Sequence, residues 1–512
     1  MFSQNTDKVN QDNNHNVMSD VISELRSNFY TAEEFGAVGD GKTDDYTAFQ
    51  RMLDQVPAGA TIILDGTKTY YNAFTTSGLS GSWKITKPVT MYCNGATLTR
   101  RKTQSSADNQ SAIFILERVD GVRIFDVSID GGNPIGQPVN STGTIVSTKK
   151  TALCQAIDYG VYVVSSSNVV ITGVIERCAF PVWVKSSNTF RFSGSVNYAG
   201  QVVPNVTVSD LAYGAGIKLS ESYNFDINVD GKGNANATVE VEPASFNGSI
   251  VCRSWENISS GMTITDSRSI TFKSYAFNSN TGVQIIQTAS KDAERHTRSI
   301  VGEAVNEGGT WGASISQRSG AAQKLTGVTL RVQSYQCKTH GLYLLNQSSI
   351  EMRNIVIDYN GVDTASESYL SSGNDVIITG DVRVDLKMKT TGCYNGLVIN
   401  GLQHADFPPR VVGDFREANF VPGYVLGKSS MVDLSGSITR DDYMLTSSAT
   451  NTKVAKILPG GNLGPYSGVT METNHLYIPG VPDSMGLNHE MYAGQRPEGA
   501  AGQNYLMVRK DN

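Results

Sequence analysis

Residues 160–178 read GVYVVSSSNVVITGVIERC, and residues 181–199 read PVWVKSSNTFRFSGSVNYA. Each stretch opens on a Gly or Pro, runs through an apolar-x-apolar strand, turns on Ser and Asn, and continues into a second alternating strand. The phrase returns at Gly216 (GIKLSESYNFDINVDG), Gly261 (GMTITDSRSITFKSYAFN), Gly282, Gly312, Gly341 (GLYLLNQSSIEMRNIVID), Gly396 and Gly423. Successive starts lie 21 to 55 residues apart. A base period slightly above 20 with insertions of variable length is what a right-handed single-stranded parallel β-helix gives, each coil one rung and each insertion a loop at a turn. Propeller blades are about twice as long, and a sandwich does not repeat one phrase in one order. The expected fold is therefore all-β, a parallel β-helix over about residues 60–440.

Strand side chains alternate, so aligning the starts separates an inward from an outward column. Positions one and three are apolar and fill the core: Val161/Val163, Val182/Val184, Ile217/Leu219, Met262/Ile264, Val283/Ile285 and Leu342/Leu344. Position two then faces solvent and reads Tyr162, Trp183, Lys218, Thr263, Gln284, Ser314, Tyr343. Aromatic faces beside amide, hydroxyl and amine donors suit stacking on and hydrogen bonding to sugar rings. Tyr162, Trp183, Lys218, Gln284 and Tyr343 are the expected substrate-binding residues, set against the bland alternative of an ordinary amphipathic strand surface.

Position five reads Ser165, Ser186, Glu221, Asp266, Gln287, Gln317, Asn346, which puts two carboxylates in one column. Rungs lie about 4.8 Å apart, so Glu221 and Asp266 stand roughly 5 Å apart as neighbours, or roughly 10 Å if the insertion 232–260 holds a further coil. Both values bracket the spacings of retaining and inverting glycosidases. A second column at the end of the second strand carries Asp130, Glu176, Asp230 and Asp358, which equally suit turn capping. The expected catalytic carboxylates are Glu221 and Asp266, then Glu176 and Asp230. Two loops offer other sites: the insertion with Glu240, Glu242 and Glu256 beside Trp255, and the stretch with Asp292, Glu294, Arg295 and His296.

One helix is expected after Thr43, where Phe49, Met52, Leu53 and Val56 share a face, Thr43 caps, and Asp44 and Asp45 suit the positive N-terminus. It would plug the open end of the core. A short amphipathic stretch carries Val17, Met18, Val21, Ile22 and Leu25 within an asparagine-rich start, which suits a small helix that is either a docked or self-associating neck or a frayed terminus. Past about Thr439 the phrase fades into Gly/Pro-rich sequence. The expected organisation is a neck or attachment segment over 1–30, the β-helix over 31–440, and a small β-rich C-terminal region over 441–512.

Glycine is 50 of 512 residues and proline 15, which suits many tight turns and few helices. A net charge of -6 gives no basic surface for nucleic acid or an anionic membrane. No apolar run reaches the ~18 residues of a membrane span, and Met1-Phe-Ser-Gln-Asn opens no signal peptide. The six Cys and six His are scattered without CxxC or paired spacing, so neither a metal nor another cofactor is expected, and the thiols read as buried and reduced.

The run Phe35–Gln50, FGAVGDGKTDDYTAFQ, followed by the apolar strand 61–64, resembles the opening of the pectate-lyase-like β-helix domain of bacteriophage tailspikes and related polysaccharide depolymerases. The detailed match covers about thirty residues, and the rung phrase extends it loosely to about residue 440. The resemblance implies a homotrimer in the virion tail that binds and usually cleaves a bacterial surface polysaccharide (capsule, exopolysaccharide or O-antigen) and joins a tail or baseplate protein through its N-terminus. Neither the sugar nor the active residues transfer by motif.

The same stretch matches a phosphate-binding loop, Gly36-Ala-Val-Gly-Asp-Gly41-Lys42-Thr43 against GxxxxGK[ST]. Against it stand Thr31-Ala-Glu-Glu34, a poor buried strand, and Asp44 and Asp45 where phosphate must sit. Three functions stay open from sequence: hydrolysis by paired carboxylates, elimination at a uronate by a base such as Lys218, Arg268 or Tyr275, and adhesion without chemistry.

Overall fold

The computed structural model describes residues 28–73, 79–100, 111–132, 159–200, 214–364, 374–393 and 395–400, and further short strands between 410 and 508. The Val17–Leu25 neck and most of the C-terminal region lie outside the described residues. Of the latter, the antiparallel pair Met491–Gln495 with Asn504–Val508 is described. The chain divides into two compact units, the first holding the described residues through Asn197 and the second those from Tyr198 on.

Both units are parallel β-helices in which each coil gives a short strand to one sheet and a long strand to another. In the first unit the short strands Ala112–Glu117, Tyr159–Val164 and Phe180–Lys185 pair in parallel, as do the long strands Arg123–Asp130, Ser167–Glu176 and Asn188–Asn197. In the second unit Ile217–Ser220, Ala237–Val241, Ser260–Thr265, Thr281–Gln287, Trp311–Gln317, His340–Asn346 and Asn374–Thr379 form the short-strand sheet. Tyr223–Lys232 through Val382–Cys393 form the long-strand sheet. The insertion 232–260 contains a whole coil, Ala237–Val241 with Phe246–Trp255. Every residue expected in the inward column is buried, from Val161 and Val163 to Leu342 and Leu344.

The corner between the sheets explains position five. Ser165, Ser186, Glu221, Ala244 and Asp266 all have positive φ, between 45° and 64°. Each is followed by a buried serine, and four of these hydroxyls turn back on the chain, as Ser222 donates to the Ser220 carbonyl at 2.8 Å and Ser267 to that of Thr265 at 2.7 Å. Where the corner carries a longer loop, the strand runs one residue further and position five turns inward. Gln287, Gln317 and Asn346 are fully buried, and Gln317 accepts from the Leu325 amide while Asn346 donates to the Asp381 carbonyl, both at 2.7 Å.

On the outer face of the long-strand sheet the register places Lys273, Glu303, Arg331, Asp358 and Lys387 in one file, one from each successive coil. Gly312 stands second in the strand Trp311–Gln317, where a Cβ would collide with the Gly341 carbonyl and the Ser334 hydroxyl. The helix α1, Tyr46–Gln55, buries Phe49, Met52 and Leu53, and Phe49 stacks on Trp83 of the core at 4.5 Å. Thr43 does not cap it. Thr43 lies in the strand Asp40–Asp44, its amide and hydroxyl both held by Asp40, and Asp45 occupies the N-cap position.

Cys93, Cys252 and Cys337 are buried free thiols, and burial pushes Cys252 and Cys337 up to about 12.

Candidate active site

The outward column of the second unit begins Lys218, Glu240, Thr263, Gln284, Ser314, Tyr343, each level with the next in the strand register. The extra coil inserts Glu240 into it, and two residues on, Glu242 points to the same side. The strand Ala237–Val241 presents Val239 and Val241 to the core, so Glu240 must face outward.

Both glutamates converge on one ammonium. Lys218 Nζ donates to Glu242 Oε1 at 2.6 Å and lies 3.6 Å from Glu240 Oε2, which puts those two oxygens no more than about 6 Å apart. The remaining oxygens are held as well: Asn236 Nδ2 donates to Glu240 Oε1 at 2.8 Å and Ser220 Oγ to Glu242 Oε2 at 3.0 Å. The side chains of Lys218 and Glu240 are only 14% and 15% exposed, that of Glu242 29%. Burial pushes the Glu240 carboxyl above its ordinary range, Lys218 opposes the shift and the Glu242 charge adds to it. Beside Glu240 the buried hydroxyl of Thr263 has no hydrogen-bond partner among the described residues. The result is one acid biased toward its protonated form beside a carboxylate held by a lysine and a serine. An acid so biased is what proton donation to a leaving oxygen requires.

The other expected residues are dispersed. Glu221 is an exposed corner residue and Asp266 a fully buried one, with the Ala244 corner between them. Asp266 accepts the Thr288 amide at 2.7 Å and the Thr288 hydroxyl, and burial pushes its carboxyl up. Glu176 stands level with Asp130, which pairs with Arg177, and Asp230 accepts from Arg253 at 2.6 Å, all on long strands. Tyr162 and Trp183 are level neighbours in the first unit, tilted against each other at 5.6 Å, and Tyr159 and Phe180 flank Trp183. Gln284 lies next to Thr263 in the column, and Tyr343 packs edge-on to Trp311 at 5.3 Å. The Glu240–Glu242 pair was legible only as a cluster in an insertion, because its coil lacks the Gly or Pro that opens the others.

Among the described residues no cluster of three His, Cys, Asp or Glu side chains is arranged to hold a metal ion. The phosphate-loop match is filled from within: Asp45 accepts the Val38 amide at 2.7 Å and the Gly39 amide at 3.2 Å, and Asp40 accepts those of Lys42 and Thr43 at 2.8 and 2.7 Å.

No protein-family model and no curated protein matches the sequence. Solved structures do. A protein of Geobacillus virus E2, ORF18, is similar at 15% identity over 67% of this chain and 64% of its own, with a TM-score of 0.39. A tailspike protein mutant of the E. coli bacteriophage HK620 aligns at 9% identity over 89% and 81%, TM-score 0.42. An exopolygalacturonase from Thermotoga maritima aligns at 12% over 87% and 91%, TM-score 0.39. These likenesses concern the fold, and the chain spans 64% of the length of the virus protein.

Proposed function

We propose that this protein binds and degrades a bacterial surface polysaccharide by glycosidic hydrolysis, Glu240 donating the proton to the leaving oxygen and Glu242 serving as the ionised partner. The observation that carries this reading is the convergence of Glu240 and Glu242 on Lys218 in a mostly buried cluster of the outward column. Close carboxylates favour the retaining course, in which the second acid attacks the sugar. Lys218 is engaged with both acids, so it makes a poor base for abstracting a proton from a uronate, which favours hydrolysis over elimination. Glu221 and Asp266 are the alternative pair, with Asp266 committed to Thr288. Tyr162 and Trp183 would hold a further stretch of the glycan by stacking.

The assignment to a phage tail rests on the resemblance of Phe35–Gln50 to tailspike openings, and with it come a homotrimer and attachment through residues 1–30. Incubating the protein with capsule, exopolysaccharide and lipopolysaccharide from a strain panel tests the chemistry. Shortened chains with new reducing ends establish hydrolysis. Absorbance from an unsaturated sugar would instead mean a lyase, and bound but intact polymer an adhesin.

A further inference from the structure

The second unit carries a row of positive charge, although the whole chain has a net charge of -6. At the head of the long strands, just past the serine corner, the register sets Phe246, Arg268, Arg298, Thr326 and Arg353 level from coil to coil. Like charges set directly opposite, as Arg268 and Arg298 are, cost stability unless something offsets them. Arg268 is offset: it lies over the Phe246 ring at 4.5 Å and pairs with Glu294 at 2.9 Å. The other acids near the corner are committed as well, Asp292 to Arg295 at 3.6 Å, Glu351 to Arg383, and Asp266 to Thr288. Arg298 and Arg353 are exposed, and neither they nor Lys324, two residues before Thr326, makes an ion pair among the described residues. Three successive coils therefore each present an unpaired cation. The next outward file along these strands reads Thr271, Val301, Thr329 and Val356, with no charge before Asp385. Val301 and Val356 are 51% and 45% exposed. The charge also reaches His296: burial holds its imidazole below the ordinary value, and against a hydrogen bond to the Lys324 backbone Arg298 and Arg268 add to the shift.

We propose that the row Arg298, Thr326, Arg353 is a binding site for an acidic glycan, whose carboxylates pair with the two arginines. The kind of polymer rests on the polysaccharide reading above, and its charge comes from the row itself. A guanidinium offers parallel N–H donors that match a carboxylate at two points, a contact no neutral sugar supplies. Arg298 and Arg353 stand two coils apart, about 10 Å, so the acids they take belong to alternate sugars, with Thr326 and Lys324 at the level of the sugar between. Asn354 Nδ2 donates to the Thr326 hydroxyl at 3.2 Å, which leaves that hydroxyl's own proton for a sugar oxygen. Val301 and Val356 lay an apolar strip alongside for the C–H faces of the rings. A nucleic acid suits the row less well, because Glu303 and Asp358 stand on the same sheet face and a broad phosphate backbone would cover them too.

The full-length protein is titrated calorimetrically with a hyaluronate octasaccharide, hexagalacturonate, maltohexaose and an oligothymidylate. At least one acidic oligosaccharide binds at least tenfold more tightly than maltohexaose, and added sodium chloride weakens it. Arg298→Gln and Arg353→Gln each lower that affinity at least tenfold, and Arg298→Lys, which keeps the charge and loses the fork, recovers only part. Both arginines are exposed, so these variants keep the fold, which an unchanged melting temperature verifies. Failure of both acidic probes, maltohexaose binding as tightly, or wild-type affinity in both Gln variants overturns the site. Tighter binding of the oligothymidylate than of either acidic sugar overturns it by pointing to nucleic acid. Release of reducing ends is read separately: a protein that cleaves polysaccharide but fails these titrations loses the row and keeps the Glu240 assignment, and one that binds the acidic sugars but leaves every polymer intact does the reverse.

Discussion

Asp45 reaches back seven residues to accept the amide of Val38 at 2.7 Å, and through its second oxygen the amide of Gly39 at 3.2 Å. The loop whose spacing matches a phosphate cradle is thus closed on its own carboxylate, and the residue at the head of helix α1 serves the loop instead of capping. Asp45→Ala leaves those buried amides without an acceptor and is expected to cost about 1–3 kcal/mol in urea unfolding. Magnesium-ATP is expected to leave the unfolding midpoint of the wild-type protein where it is, and a stabilising shift would reopen the nucleotide reading.

Glu240→Gln and Glu242→Gln each remove one member of the pair with little change of shape. Turnover is expected to fall at least ~100-fold in either, with glycan affinity retained. Near wild-type rates in both, alongside a loss in Glu221→Gln or Asp266→Asn, would transfer the chemistry to the corner column.

The raised carboxyl of Glu240 has a pH signature of definite sign. The folded protein keeps this proton where the unfolded chain has already lost it, so the contribution to stability is full at acid pH and lost as pH rises from the ordinary glutamate value through the raised one. Turnover dependent on the proton falls over the same window. The melting temperature of Glu240→Gln is expected to vary less between pH 5 and pH 8 than that of the wild type, measured by calorimetry in matched buffers. An unchanged pH dependence would show that Glu240 ionises like an exposed acid.

Trp183 lies on the outward side, as the alternation of its strand requires, yet it packs against Tyr159, Tyr162 and Phe180. Trp183→Ala is therefore expected to weaken oligosaccharide binding by ~1–3 kcal/mol and to lower stability by a similar amount, where the sequence alone pointed to binding only. Binding equal to wild type with reduced melting would make the cluster purely structural.

Gly312→Ala drives a methyl into the Gly341 carbonyl and the Ser334 hydroxyl. Overpacking of this kind costs about 1–3 kcal/mol, read as a drop in the thermal midpoint. A neutral effect would mean that the two sheets spread at that corner.

The coil plan was legible in the sequence because each strand exposes one face, so Val161, Ile217 or Leu342 had to point inward whatever the loops did. The corner column was only partly so, because the sequence left open whether Glu221 and Asp266 are neighbours, and the coil through Ala244 stands between them. Gln287 and Asn346 share their column and yet turn inward, since a longer corner loop extends the strand by one residue. Glu240 and Glu242 were legible as acids of an insertion but not as neighbours of Lys218, because Ala237-Thr-Val-Glu-Val241 alternates correctly but has no glycine to announce its coil.

The file Lys273, Glu303, Arg331, Asp358, Lys387 alternates in sign from coil to coil, with Lys273 and Glu303 4.0 Å apart. Every coil of a repeat fold offers nearly the same sticky edge, so a strand can dock one position too far along during folding. Skipping a single coil sets lysine against arginine or glutamate against aspartate, whereas the correct order meets attraction at each step. The sign of the charge thus works as a check on counting, written in side chains that contribute little to the stability of the finished protein.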